Sequence, residues 1–485
     1  MSTVAEINAR RREAGLPLIR FNLRRLQPED IQDLRDAYNA MYEISDTSIG
    51  DSRGYWAIAR GHGYDEDLCH NDSRIFLTWH RAYIYMFERA LSAALRWKRG
   101  NPDLWLTLPF WDWTVIDPST DAANGIPNVL NDPTYTDSNG NEQRNPLHAA
   151  RSLWREQNQG QPAPAWTLRS PGAFAAAVPG LKDDVDRNLT NPSYEGFSND
   201  LNGGAHGTVH VRVSGDMGSV VSAAYDPLFW LHHSMVDKVW FDWQTRNRNA
   251  TVPQHVLDAS IYGGLTGAGV VDAESQLLYT YSDEEVETAV EVGGTTDDAA
   301  EPPPEEPEEE ASPAVEEAAD EERDPTEPAP RSEYRGRHRT LRLGKVHGPF
   351  KRAQLDFHQM RPPTQNYEIR VYFNNPDANH QTPATDPSYG GRIVLFGHGR
   401  CHGARGHCDP SQAERDSYDL RRKHHLRYRH TRYAVDVTRG LRRLLKQANG
   451  KPTEVNATFV VLDANERAVP HRELRYRGVS LSTLS

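Results

Sequence analysis

Cysteine is scarce in this chain, with three in 485 residues, so a disulfide framework cannot hold it together. Glycine, at 35, falls far short of a collagen repeat, and no heptad run marks a coiled coil. No stretch approaches 18 consecutive apolar residues, which excludes a membrane-spanning helix. Arg10, Arg11 and Arg12 stand near the N-terminus without an apolar stretch behind them. Neither a Sec nor a twin-Arg leader is therefore expected, and a cytoplasmic setting is expected over a secreted one unless a partner carries the signal.

Charge is plentiful and unevenly placed. The formal net charge is −13, from 55 Lys+Arg against 68 Asp+Glu. Residues 281–330 hold 20 acids and one base, Arg323, a segment charge of −19, whereas 331–485 carry +15 and 1–280 carry −9. The length suits two or three domains. The expected division is a first domain at 1–280, an acidic Pro/Glu-rich linker at 281–333 and a second domain at 334–485. The linker composition cannot bury enough apolar area to offset chain entropy, so it reads as extended or disordered. The basic run 421–430 looks like a nucleic-acid patch by composition, but a solvated face is the expectation, and neither nucleic acid nor membrane is expected as a partner.

The first domain reads as mainly α. Apolar periodicity predicts a helix from Pro28 to about Tyr42, a second from about Ser73 through Leu95, and a third from Asp226 to Gln244, where Asp226-Pro227 is a start signal. Long Asn-, Pro- and Gly-rich loops separate them at 117–147, 155–172 and 187–204. In the second domain, segments beginning at Tyr367, Arg392, Tyr433 and Asn456 alternate like short strands, which predicts a smaller all-β, sandwich-like unit at 340–480.

Six of the 20 histidines have metal-site character. His62, His70 and His80 form one group; His206, His210 and His233 form the other. His206 and His210 are four apart, so a helical turn projects both imidazoles from one face. His80 and His233 lie in strongly apolar helices, where an imidazole without a partner is costly. A single HxxxH is weak evidence and a lone core histidine is usually just hydrogen-bonded; two triplets are harder to dismiss. Helix geometry lets one of His232 and His233 face the site, and His233 shares its face with Phe229 and Asp237. His232 is then expected as a wall beside the ligands, and Asp237 as an acceptor for a ligand or a nearby Arg or Lys. Six neutral nitrogens with no carboxylate suit copper or zinc, copper binding more strongly, and a dizinc hydrolase would need a carboxylate base that neither triplet offers.

The segments FLTWHRAYIYMFE, PFWDW, HGTVH and DPLFWLHHSMVDKVW resemble the central domain of the tyrosinase, catechol oxidase and haemocyanin family of type 3 copper proteins, over roughly residues 18–260. The resemblance implies a four-helix bundle with two copper ions between its helices. His62, His70 and His80 would hold one ion, and His206, His210 and His233 the other. It further implies oxidation of o-diphenols to o-quinones with dioxygen as co-substrate, small phenols as substrates, and Phe229 as the aromatic wall against the substrate ring, with core packing as its alternative role. A dioxygen carrier of the haemocyanin kind is the alternative function. A copper-donor protein and a second copy of the chain are candidate partners.

Three departures from the family pattern bear on chemistry. His70 and His80 are ten apart where the family usually has nine, with Asn71 in the expected place. Cys69 is adjacent to His70 rather than two residues before it, so the thioether of some members is not expected. The Asn and Glu that help deprotonate monophenols in many members correspond here to Gly207 and Asn202, which implies weaker ortho-hydroxylation than diphenol oxidation. In many relatives a C-terminal β-domain covers the copper site, so latency relieved by cleavage in the linker is expected, with Phe350 and Tyr389 as candidate plugs. Cys401 and Cys408, with His398, His402 and His407 around them, are open to a disulfide, to free thiols or to Cu(I) capture.

Overall fold

The computed structural model describes residues 2–62, 75–286, 340–397 and 431–484, apart from positions 347, 361, 362, 364 and 452. His70, Cys69, Asn71, most of the linker, Cys401, Cys408 and the basic run 421–430 lie outside the described residues.

The first part is helical. Its chief helices are α1 (Pro28–Thr47), α2 (Tyr55–Ala59), α3 (Phe76–Arg99), α4 (Phe174–Asn188), α5 (Tyr194–Leu201), α6 (Gly207–Val213) and α7 (Pro227–Arg246). Each start and stop has a local cause. Asp226 caps α7 by accepting from the Leu228 amide at 2.9 Å, with Pro227 in the first turn. At the other end of α3, Gly100 takes φ +62°, the left-handed turn that ends helices. Helices α1 and α3 both run several residues beyond the periodicity, to Thr47 and Arg99. The last turns carry polar residues on exposed faces, which the apolar pattern does not mark.

The helices pack around aromatic side chains. Phe87 of α3 stacks on Trp230 of α7 at 3.7 Å between centroids, and Trp230 Nε1 donates to the Tyr55 hydroxyl at 3.1 Å. Trp79, Trp111, Trp113, Trp240 and Trp243 are buried in the same core, where such large rings dominate packing energy.

Two short strands close the helical part. β1 (Leu18–Phe21) pairs in parallel with β2 (Tyr279–Ser282), Arg20 opposite Tyr281. This ribbon delivers Arg20, Tyr279 and Tyr281 to Asp237 on α7. Asp237 accepts from Arg81 Nε at 2.5 Å, Arg20 Nη1 at 3.2 Å, Tyr279 Oη at 2.5 Å and Tyr281 Oη at 2.6 Å. Glu88 takes the Nε of Arg20 at 2.7 Å. Every charged member of this network is nearly inaccessible to water.

The C-terminal part is a two-sheet sandwich. A four-stranded sheet runs in the order β3 (Thr340–Val346), β8 (Thr453–Leu462), β5 (Tyr367–Phe373), β6 (Tyr389–Leu395). The second sheet is β9 (Gly478–Leu484), β4 (Arg352–Met360), β7 (Thr431–Asp436). Alternate residues fill the space between them: Ala353, Leu355 and Phe357 from β4 face Ile369, Val371 and Phe373 from β5 and Ala457, Phe459 and Val461 from β8. The architecture is mainly α with a smaller β-rich C-terminal region, as the sequence predicts, with one added helix, α8 (Thr438–Gln447). No helix among the described residues is long and apolar enough to cross a membrane.

The outer face of the four-stranded sheet lies on the helical part. Arg212 of α6 bonds Glu368 at 2.6 Å and Glu466 at 3.1 Å, Arg392 bonds Asp184 at 3.2 Å, and Arg352 pairs with Asp200. Glu368, Arg392 and Val394 thus belong to the strand face opposite the sandwich core.

Asp237→Ala would leave Arg81 without a carboxylate in a dry interior and Arg20 with Glu88 alone. The expected cost is about 3–5 kcal/mol, measured by denaturant unfolding; a loss under 1 kcal/mol would show that the network does not hold the helices.

Candidate metal centre

Five of the six expected ligands fall among the described residues, and the fold brings all five together. His62 follows α2, His80 is on α3, His206 and His210 flank the start of α6, and His233 is on α7. All are buried. His62 Nε2 lies 3.5 Å from His80 Nε2, and His210 Nε2 lies 3.4 Å from His233 Nε2. His80 and His233 stack at 4.2 Å with their planes 4° apart, which joins the two groups.

Four ring orientations have a readable cause. Nδ1 of His62 contacts the Val220 carbonyl at 2.7 Å, His80 the Phe76 carbonyl at 2.8 Å, His206 the Asn202 carbonyl at 3.1 Å and His210 the Met217 carbonyl at 2.7 Å. A carbonyl only accepts, so in each ring Nδ1 carries the proton and Nε2 keeps the lone pair that a metal needs. The His206 contact is made within an irregular turn, Asn202–His206, that leads into α6.

Electrostatics agree with a ligand role. Burial pushes His206 down to about 4, and it lowers His80, His210, His232 and His233 well below the ordinary imidazole value, with neighbouring imidazoles adding to the effect. The rings are neutral and coordination-ready at pH 7. Two clusters can each converge on an ion: His62, His80 and His233, and His206, His210, His232 and His233. His233 Nδ1 and both ring nitrogens of His232 are buried without hydrogen-bond partners among the described residues. Neither cluster contains a carboxylate. Asp237 instead serves Arg81 and Arg20: burial works to raise its carboxyl, yet the two arginines outweigh it and hold it below its ordinary value. Buried neutral imidazoles without acid partners fit copper or zinc and not magnesium or calcium.

The structure corrects the expectation that only one of His232 and His233 reaches the site. His232 stacks on His206 at 5.3 Å and meets His210 edge-on at 4.7 Å. The imidazoles of the second cluster spread around α7, so neighbours pointing 100° apart both touch it.

Phe229 is fully buried against the rings of His233 (4.3 Å), His62 (4.8 Å) and His210 (6.0 Å). Gly207 is buried beneath β6: a Cβ there would meet the Asn202 carbonyl at 3.1 Å and the Val394 carbonyl at 3.3 Å. Asn202 contributes its backbone carbonyl to His206. Phe76, unremarked in the sequence as a site residue, packs on His206 at 4.7 Å and His80 at 4.8 Å.

The candidate plugs lie elsewhere. Phe350 belongs to the sandwich core and Tyr389 packs on Tyr372. It is Phe396, immediately after β6, that stacks on His210 at 4.2 Å and 22°. Asn366 fixes its loop, donating to the Gly218 carbonyl at 2.8 Å and accepting the Gly397 amide at 2.7 Å. The cause is strand parity: Arg392, Val394 and Phe396 alternate toward the helical part, whereas Ile393 and Leu395 turn into the sandwich.

A helical fold with two converging groups of neutral imidazoles defines a histidine-ligated metal protein. The pattern described as the common central domain of tyrosinase matches residues 47–246. The tyrosinase of Streptomyces lincolnensis is 34% identical over 194 residues, which span 37% of this chain and 66% of that relative, just under two thirds of its length. Among solved structures, a latent aurone synthase (polyphenol oxidase) superposes with TM-score 0.58 at 17% identity, covering 97% of this chain and 90% of that one. A functional unit of octopus haemocyanin gives TM-score 0.54 at 18% identity, covering 96% and 99%. Residues 47–246 thus carry the common central domain of tyrosinase, and the chain as a whole shares its fold with polyphenol oxidase and haemocyanin structures.

Removal of metal should expose the strain of burying these rings. Below about pH 6.5 the unfolded chain protonates its histidines, whereas the folded chain resists until about 4 at His206. Stability of the metal-free protein therefore falls as pH drops through that window, by about 1.4 kcal/mol per unit for each such histidine. Thermal melts of chelator-treated protein at about pH 7.5 and pH 5 check this, and an unchanged Tm would contradict it.

Proposed function

We propose that the chain is a dicopper oxidase that uses dioxygen to convert o-diphenols to o-quinones, and that its sandwich holds it latent. The observation that carries this reading is the carboxylate-free meeting of two imidazole groups whose ring nitrogens approach to 3.4–3.5 Å. His62, His70 and His80 would hold one copper, and His206, His210 and His233 the other. Copper, when bound there, supplies the two-electron exchange with dioxygen, so that two o-diphenols give two o-quinones and one dioxygen becomes two waters.

The chain's own residues do the rest. Phe76 and Phe229 exclude water beside the ligands, and the Phe229 ring is the proposed wall for the phenol. A monophenol must lose its hydroxyl proton before its ortho carbon can be attacked. Gly207 brings no side chain to that task, and the amide of Asn202 is not a base. Diphenol oxidation is therefore the stronger activity, and ortho-hydroxylation the weaker. On the copper-loaded chain, initial rates of quinone formation should be higher with L-DOPA than with tyrosine. A higher rate with tyrosine would overturn this, and reversible dioxygen uptake without any quinone would identify a carrier instead.

Latency is supported by Phe396 on His210 and by the Asn366 clamp beside it. Phe396 occupies the space over the second histidine group that a substrate ring would need. An aromatic stack of this kind contributes about 0.5–1.5 kcal/mol beyond its buried area. Phe396→Ala should thus raise diphenol turnover of the uncleaved chain about tenfold, read as dioxygen consumption. Equal rates for the two proteins, with proteolysis in the linker equally without effect, would remove the lid from the account.

A further inference from the structure

A second cavity, of about 570 Å³, opens in the helical part and is lined by none of the metal-centre histidines. One wall is a single face of α1, where Asn39, Tyr42, Glu43 and Asp46 recur at helical spacing. Opposite stand Trp56, from the helix that leads to His62, and Trp166, which is 38% exposed. The volume lies within the range of small-molecule sites.

The charges around it do not cancel. Lys98 is bonded to Glu43 at 2.5 Å. Arg151 lies over Trp56 and takes both carboxylate oxygens of Glu156, at 2.7 and 2.9 Å, with Asp46 at 3.6 Å. Arg144 has no carboxylate partner among the described residues. Its guanidinium lies over Trp166, with Cζ 3.1 Å from the ring centroid, and its Nη2 donates to the Ala149 carbonyl at 2.5 Å. Arg144 is exposed at the rim of the cavity, so its guanidinium edge is open to a ligand from solvent. The Trp56 indole N–H is buried and lacks an acceptor among the described residues. The cavity thus combines aromatic walls with a planar cation that has no carboxylate partner among the described residues.

We propose that this cavity binds an aromatic carboxylate, with the carboxylate on the fork of Arg144 and the ring lodged among Tyr42, Trp56 and Trp166. A guanidinium seated over an indole keeps its remaining edge N–H groups for a carboxylate, which the planar fork can take bidentately. The stacked pair also offers a planar surface to a ring. A neutral aromatic would forgo the ion pair, and an aliphatic acid would forgo the stack, so both features are required of the ligand. The site is independent of the copper reading, since none of its residues belongs to the metal centre.

Calorimetric titration of the full-length, copper-loaded chain with benzoate tests it, with benzamide and cyclohexanecarboxylate as the arms that remove charge and aromaticity. Benzoate should bind at least tenfold tighter than either. Arg144→Gln and Trp166→Ala should each weaken benzoate at least tenfold, while Arg144→Lys, which keeps the charge but not the fork, should fall between Arg144→Gln and the unaltered chain. Thermal melts confirm that each variant remains folded, and Trp166→Phe provides a milder replacement if the alanine variant does not. Benzoate affinity unchanged in both Arg144→Gln and the Trp166 variant would place binding elsewhere, the metal centre included, and overturn the proposal. Absence of binding at millimolar benzoate would do the same.

Discussion

The contact between Arg81 and Asp237 sets the geometry on which the rest depends. Arg81 follows His80 on α3, and Asp237 lies one turn beyond His233 on α7. A 2.5 Å ion pair between them fixes the register of the two helices, and in that register the two imidazoles stack nearly parallel. The same carboxylate also receives Arg20 and two tyrosine hydroxyls from the ribbon that joins residue 20 to residue 281. Opposite ends of the helical part are therefore tied to the acid that aligns the two histidine-bearing helices. An ion pair so buried is no bargain in stability by itself. Its use here is specificity: any slip between α3 and α7 would leave a charge in a dry interior.

Within that frame the site is built by withholding alternatives from its imidazoles. Burial keeps them neutral, carbonyls take up the Nδ1 protons, and the carboxylate one turn away from His233 is committed to two arginines and two tyrosines. What remains is a set of lone pairs pointed inward, without an acid to share them. The absence of a side chain at Gly207 follows the same economy of space. With Val394 of β6 pressed within van der Waals reach, a larger residue would push the sandwich away from the metal centre.

Much of this was legible in residue order, for reasons that differ by element. Helices α1, α3 and α7 announce themselves through apolar periodicity and, for α7, through an Asp-Pro cap. Their polar final turns do not show, because nothing apolar marks them. The histidines on α3, α6 and α7 stand out in apolar surroundings, whereas carbonyl partners such as Phe76 for His80 and Met217 for His210 are read from backbone geometry alone. Strand β4 alternates cleanly, Ala353, Leu355 and Phe357 against Arg352, Gln354 and Asp356, yet its polar half makes the signal fainter than that of its more apolar neighbours. Phe396 was hidden for a deeper reason. Both faces of β6 are buried, one in the sandwich and one on the helical part, so hydrophobicity cannot say which parity looks toward the metal centre.

Val220 shows how closely the two parts are joined. Its carbonyl accepts from the Nδ1 of His62, and its amide donates to the Gly397 carbonyl at 3.4 Å, next to Phe396. One residue therefore orients a ligand of the first histidine group and anchors the loop that covers the second. Asn366 reinforces the same join through Gly218, two residues earlier. The sandwich thus meets the helical part both at the His210 ring and at the backbone of the residue that holds His62 in its tautomer. The loop that carries Phe396 and the first histidine group therefore share one backbone support, with no side chain passing between them.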